Sequence, residues 1–274
     1  MQTLAETAPN VHESRTTAEG YALTARVFPS GDAELVSRRV GSDTPILCGG
    51  HRRKNKDKAE MSKESLDAST KRARTNIRHK ALTFMPTQLM TLTFRQNVLD
   101  IDEAWMVFKY FSKMMRWKFG DRWQYICVPE RQKKRGKANG DDGTIHFHLA
   151  VTQALNNKQW RALHVIWGRA TGKRGGNVDF SNKKHTTRGG KPIRDPKKIG
   201  QYICKYISKE ADTVGFNKKR YSSRGCVVAD PIRGWVAGGV SLVDLQVIMG
   251  ALTTMPISYE WESEDYLCIT FLST

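Results

Sequence analysis

Hydrophobic positions in the middle of the chain recur with two different periods. Leu89-Met90-Thr91-Leu92-Thr93-Phe94 alternates Leu and Met with Thr, the two-residue period of a strand. From a cap at Asp100 or Asp102 to about Lys118 the period becomes helical, with Ile101, Ala104, Trp105, Phe108, Phe111 and Met115 on one stripe. Gly120-Asp121 ends that helix, and Trp123 to Pro129 predicts a second strand leading to Glu130. The stretch Thr144-Ile145-His146-Phe147-His148-Leu149-Ala150-Val151 leaves a turn at residues 139–143 as a third strand. Lys158 to Arg169 predicts a helix burying Trp160, Leu163 and Trp167, and Asn177 to Phe180 a short strand. Between Lys198 and Glu210, Ile199, Tyr202, Ile203, Tyr206 and Ile207 form another helical stripe. This β-α-β-β-α-β-α order is that of an α+β fold.

The flanks carry weaker patterns. Ala59 to His79 reads as a helix started by Ser62, with Ser65 and Asp67 in its first turns. Residues 1–50 show little periodicity, so residues 1–58 are expected to be poorly ordered. The remaining boundaries are a central domain over residues 59–235 and an acidic extension over 236–274.

Charge changes the picture most. The 274 residues carry a formal net charge of +18, which calls for a polyanionic partner, most often nucleic acid. Residues 51–80 hold eleven Lys/Arg against four Asp/Glu, residues 131–137 five against none, and residues 183–198 seven against one. Residues 230–274 reverse the sign, with one Arg against six acids. The basic segments nominate Arg131, Lys133, Lys134, Arg135, Lys137, Lys183, Lys184 and Arg188 for DNA binding. The basic helix at 59–79 fits a DNA backbone and a solvated face equally well. No run of eighteen apolar residues exists, which argues against a membrane span. Five scattered cysteines without a CxxC pair, and no apolar leader after Met1, suit a cytoplasmic protein with reduced thiols.

Residues two apart on a strand point the same way, so His146 and His148 share a face and Phe147 takes the other. Two imidazoles on a rigid strand make half of a divalent-metal site. Pairing the second strand with this one across residues 131–143, with Glu130 opposite Thr144, puts Glu130 on the same face. His146, His148 and Glu130 then form a three-ligand set for Mg²⁺ or Mn²⁺, with Asp141 or Asp142 as substitutes for Glu130 if the loop folds back. Tyr202 and Tyr206 are four apart, hence on one helical face, and each is followed three residues later by a lysine, Lys205 or Lys209. The pair fits core packing, and it also fits nucleophiles helped by nearby cations and a metal-activated electrophile. Gly168 to Arg174 lacks the spacing and the Ser/Thr of a phosphate loop, so no nucleotide-driven motor is expected.

In order, Thr91-Leu-Thr-Phe94, Glu130, His146-Phe-His148 and Tyr202-x-x-Lys205-Tyr206-x-x-Lys209 resemble the HUH endonuclease superfamily. The likeness, over about residues 60–235, is to two-tyrosine rolling-circle replication initiators of small bacterial plasmids and filamentous phages. It implies a ferredoxin-like variant: a central antiparallel sheet containing the HFH strand, helices packed on one face opposite the histidines, and the tyrosine helix leaning over the metal. It also implies a metal-assisted nick in single-stranded origin DNA, a 5′-phosphotyrosine link and a free 3′-hydroxyl, with host helicase and polymerase as partners in a bacterial cytoplasm. The two tyrosines have equivalent lysines, and Tyr206 is favoured for initiation. A relaxase or transposase of the same superfamily would use the same site, and a non-enzymatic nucleic-acid-binding protein would account for the charge alone.

The clustering of charge makes one expectation independent of any mechanism. Affinity for single-stranded DNA should fall about tenfold or more over a few-fold rise in salt. Neutralising the five basic residues of 131–137 should flatten the slope of log Kd against log salt. A titration series by fluorescence anisotropy checks this, and an unchanged slope would mean that the loop does not touch DNA.

Overall fold

The computed structural model describes residues 20–40, 63–132, 143–152, 156–180, 195–209, 219–238, 241–254, 256–263 and 266–271. The chain divides into two compact units, residues 59–228 and residues 1–58 together with 229–274.

The central unit follows the α+β plan. Its elements are α1 (Lys63–Phe84), β3 (Gln88–Phe94), α2 (Ile101–Phe119), β4 (Tyr125–Gln132), β5 (Thr144–Val151), α3 (Asn157–Thr171), β6 (Gly176–Phe180), α4 (Pro196–Lys209) and β7 (Ser222–Arg224). The sheet order is β6-β3-β5-β4-β7, antiparallel throughout. With β7 left aside, β3-α2-β4-β5-α3-β6 has the connectivity of a ferredoxin-like unit. Local chemistry sets the ends of α2: the Asp100 side chain accepts from the Asp102 N–H at 2.9 Å, and Gly120 at φ 62° terminates the helix. Pro129 lies inside β4, beyond Cys127, the last residue of that strand that β7 pairs.

Alternation in β5 divides the core in two. Phe147 faces α2 and α3, its ring centroid 5.0 Å from those of Trp105 and Phe108, in a layer with Phe94, Phe111 and Trp167. Truncating such a buried ring to Ala costs about 3–5 kcal/mol. The other face carries Leu89, Ile126, Val128 and Ala150, covered by Ile77 and Ala81 of α1 and by Ile199, Ile203 and Ile207 of α4. Helices therefore lie on both faces, not on one. The expected pair, α2 and α3, sits opposite the histidines, and α1 joins α4 on the histidine side because the apolar end of that face would otherwise be wet.

In the second unit, residues 20–40, within the segment expected to be poorly ordered, form two strands, and the rest of residues 1–58 lies outside the described residues. The strands of this unit are β1 (Gly20–Val27), β2 (Ala33–Val40), β8 (Ile232–Ala237), β9 (Ile257–Ser263) and β10 (Tyr266–Phe271), with helix α5 (Leu242–Gly250). The sheet order is β8-β1-β2-β10-β9, so the N-terminal hairpin lies between C-terminal strands. Leu23, Ala25, Ala33, Leu35, Ile269 and Phe271 on its strands form one core with Leu245 and Met249 of α5. The described part of the acidic extension over 236–274 therefore includes α5, β9 and β10.

Gly200 positions α4. A Cβ built there would stand 2.8 Å from the Ala81 Cβ of α1, closer than two side chains approach. Gly200→Ala should lower stability by about 1–3 kcal/mol through overpacking, read as a lower thermal unfolding midpoint. Adding Ala81→Gly should return part of that loss. Failure of the second change to help would mean that the two helices do not meet there.

Candidate functional site

Strand β5 is the platform. Register places Glu130 opposite His146 and Val128 opposite His148, with Thr93 and Thr91 facing the same two histidines from β3. The sequence-based register, Glu130 opposite Thr144, is two residues out, because β4 continues past Pro129 and Gln132 takes that place. A two-residue shift preserves parity, so Glu130, His146 and His148 do share one face.

His148 sits at the centre. Its Nε2 lies 2.7 Å from Glu130 Oε2, a diagonal contact across the β4–β5 pair, and its Nδ1 lies 3.2 Å from Thr91 Oγ1. Two tautomers fit these partners. With Nε2–H donating to an ionised Glu130, Nδ1 accepts from the Thr91 hydroxyl; with Nδ1–H donating to Thr91, the Nε2 lone pair is released. Thr91 opens the first of the motifs, but the sequence reading gives it no role at the site. Its signal lies in the alternation of Thr91 and Thr93, which sends both hydroxyls to the histidine face. His146 is buried beside this group.

Helix α4 brings both tyrosines to His148. The Tyr206 ring stacks on the imidazole with centroids 4.1 Å apart and planes inclined by 7°. Tyr202 approaches it edge-on at 6.1 Å. The Tyr206 hydroxyl donates to the Tyr202 oxygen at 2.5 Å. The helical stripe is therefore core and site at once: Ile199, Ile203 and Ile207 are buried, and the tyrosines cap the polar end. The two phenols are not equivalent. Tyr206 is 6% exposed, whereas Tyr202 is half-buried. Burial pushes the Tyr206 phenol well above its ordinary range, reinforced by its hydrogen bond to Tyr202 and by the negative charge of Glu130.

Lys205 is exposed on α4, and Lys209 ends that helix with its side chain outside the described residues. Arg131 follows Glu130 on β4 and so falls on the opposite face by register. Lys133, Lys134, Arg135, Lys137, Lys183, Lys184 and Arg188, with Asp141 and Asp142, lie outside the described residues.

Among the described residues no group of three or more His, Cys, Asp or Glu is arranged as a formed metal site. The donor set nonetheless fits a divalent cation in kind. Nε2 and Oε2 at 2.7 Å are near the separation of about 3 Å between adjacent ligand atoms around an octahedral Mg²⁺. Thr91 is the partner that would hold the His148 ring with Nε2 free to ligate. No helix among the described residues is long and apolar enough to cross a membrane.

Residues 87–211, a little under half of the chain, match the family model of the Replication-associated protein ORF2 type. The matched segment runs from β3 to the end of α4 and contains Glu130, both histidines and both tyrosines. It supports a replication-associated protein. No curated protein and no solved structure matches the chain.

Burial on α4 has a measurable sign. Cys204, between the tyrosines, donates to the Arg74 carbonyl at 3.4 Å, and burial raises its thiol to about 11, with Arg74 and Arg78 pulling the other way. The unfolded thiol releases its proton at lower pH than the folded one, so this stabilisation is complete below pH 9 and is lost as pH rises through about 11. Between those values Cys204→Ala should make the fall of stability with pH shallower by up to about 1.4 kcal/mol per pH unit. Urea unfolding at stepped pH checks it, and an unaltered slope would mean that the thiol is not shielded.

Proposed function

We propose that the chain initiates replication by nicking single-stranded DNA through a tyrosine of α4, with His146, His148 and Glu130 holding a divalent cation. The observation that carries this reading is the meeting of three remote segments, residue 130, residues 146–148 and residues 202–206, around one imidazole. A purely structural tyrosine pair would not need a carboxylate–imidazole–hydroxyl chain beneath it. The family match over residues 87–211 supports the replication role and a DNA partner.

Bound Mg²⁺ or Mn²⁺ would supply Lewis-acid polarisation of the scissile phosphate. The chain's own residues do the rest. Tyr202 is the more accessible phenol, and the Tyr206 hydroxyl donates to its oxygen, which stabilises negative charge there as the proton leaves. This favours Tyr202 for the first attack, against the sequence-based preference for Tyr206. A bond forms from the Tyr202 oxygen to phosphorus, the bond from phosphorus to the 3′ oxygen breaks, and the proton lost by the phenol is matched by one gained at the 3′-hydroxyl. One phosphodiester is exchanged for another, so no nucleotide cofactor is consumed. Tyr206 then serves the terminating transfer, once its stacking on His148 is released. Thr91 orients the His148 ring through Nδ1, which leaves Nε2 and the Glu130 carboxylate for the cation. The 3′-hydroxyl is the primer that a host polymerase extends behind a host helicase.

The test is an SDS-stable protein–DNA adduct on single-stranded origin DNA with Mg²⁺ or Mn²⁺. His146→Ala with His148→Ala should abolish the adduct while changing DNA affinity less than about threefold, because affinity comes mostly from phosphate contacts. A chelator should abolish it as well. Tyr202→Phe should slow adduct formation more than Tyr206→Phe, by about ten- to a hundredfold, and the double variant should form none. An adduct from the double variant would place the nucleophile elsewhere, and metal-dependent cleavage by the histidine double variant would remove the metal assignment.

A further inference from the structure

The outer surface of α2 has no place in this chemistry, and its composition is unusual. Met106, Tyr110 and Trp117 stand 66%, 53% and 88% exposed. They fall within about 40° of one another around the helix, at 100° per residue. A single exposed hydrophobic residue needs no explanation, but a stripe of three with two aromatic rings is a patch. Lys109, Lys113 and Arg116 lie along its flank. The adjacent helix α3 adds Lys158, Arg161 and Arg169 and has no acidic residue. Acids on α2 are confined to its first turn, where Glu103 is paired with Arg174.

This combination selects one kind of partner. The cations require a polyanion, and the bare rings require flat apolar surfaces presented by that same polyanion. Unpaired bases supply such surfaces and duplex DNA does not, because its bases are already stacked on each other. Tyr110 and Trp117 are seven residues apart, about 10 Å along the axis, a distance covered by about three stacked nucleotides at roughly 3.4 Å each. We propose that the outer face of α2 is a second binding surface for single-stranded nucleic acid, with bases on Tyr110 and Trp117 and phosphates on Lys109, Lys113 and Arg116. It lies on the opposite side of the β6-β3-β5-β4-β7 sheet from the tyrosines of α4, so it holds a part of the strand other than the one being cut. Such a surface binds whether or not the strand is nicked.

The test uses the full chain and fluorescence anisotropy with a long oligothymidylate and a duplex of equal length. Tyr110→Ala with Trp117→Ala should weaken binding to the oligothymidylate about tenfold or more, and duplex binding less than about twofold. Trp117→Tyr keeps a ring and should stay within about threefold of the unsubstituted chain. Lys113→Ala with Arg116→Ala should weaken both ligands and reduce the salt slope by roughly one to two. Circular dichroism reports whether each variant is folded, and Trp117→Ala alone, at a position 88% exposed, still tests the assignment if the double alanine variant is not, with oligothymidylate binding expected to weaken about threefold or more. Unchanged affinity of the aromatic variant for oligothymidylate would overturn the proposal. So would an equal loss on duplex, or a lower oligomeric state in sedimentation than that of the unsubstituted chain, which would make the stripe a protein contact.

Discussion

Strand β5 is buried on both faces, and the rest of the central unit depends on that. A strand so enclosed has no freedom to slip, because a shift of one residue would drive Phe147 out of the aromatic layer and both imidazoles into it. The energy that fixes the register comes from the apolar side, where Phe147 meets Trp105 and Phe108. The polar side inherits that precision. His148 is held by packing it does not itself make, and Glu130, Thr91 and the two tyrosines are arranged about a point that the core has already located.

Burial has a second effect on that side. The stacked Tyr206 is shielded from water by the same α1–α4 packing that keeps the helix in place, and shielding disfavours its charged form. Tyr202, one turn earlier, is at the rim. One helix thus offers two phenols of different depth at one imidazole, joined by a hydrogen bond whose direction runs from the shielded group to the half-buried one. A pair of identical residues at helical spacing becomes unequal through depth alone.

Depth is also what the sequence conceals. The strands β3 to β6, the helices α2 to α4 and the common face of Glu130, His146 and His148 are legible because each follows from a local period of two or 3.6. The pairing register of β4 is not, since the loop that sets it is long and Pro129 suggests an end where the strand in fact continues to Gln132. The difference between Tyr202 and Tyr206 depends on α1, a helix remote in sequence whose Ala81 receives Gly200. The strands β1 and β2 are hidden for a similar reason: their partners, β8 and β10, come from the other end of the chain. A turn at Pro29-Ser30-Gly31-Asp32, with the Ser30 hydroxyl donating to Asp32, is the clue that the sequence does offer.

That last sheet has a consequence for how the protein is made. Strand β2 is hydrogen-bonded to β10, which ends at Phe271, so the hairpin of β1 and β2 leaves the ribosome long before its neighbours exist. The central unit, residues 59–228, is continuous and closes its own contacts in the meantime. Synthesis therefore imposes an order: the middle of the chain matures first, and the two ends wait to be joined. A nascent chain halted before β10 would carry a finished central unit flanked by an open sheet edge, the species most exposed to aggregation and to chaperone capture.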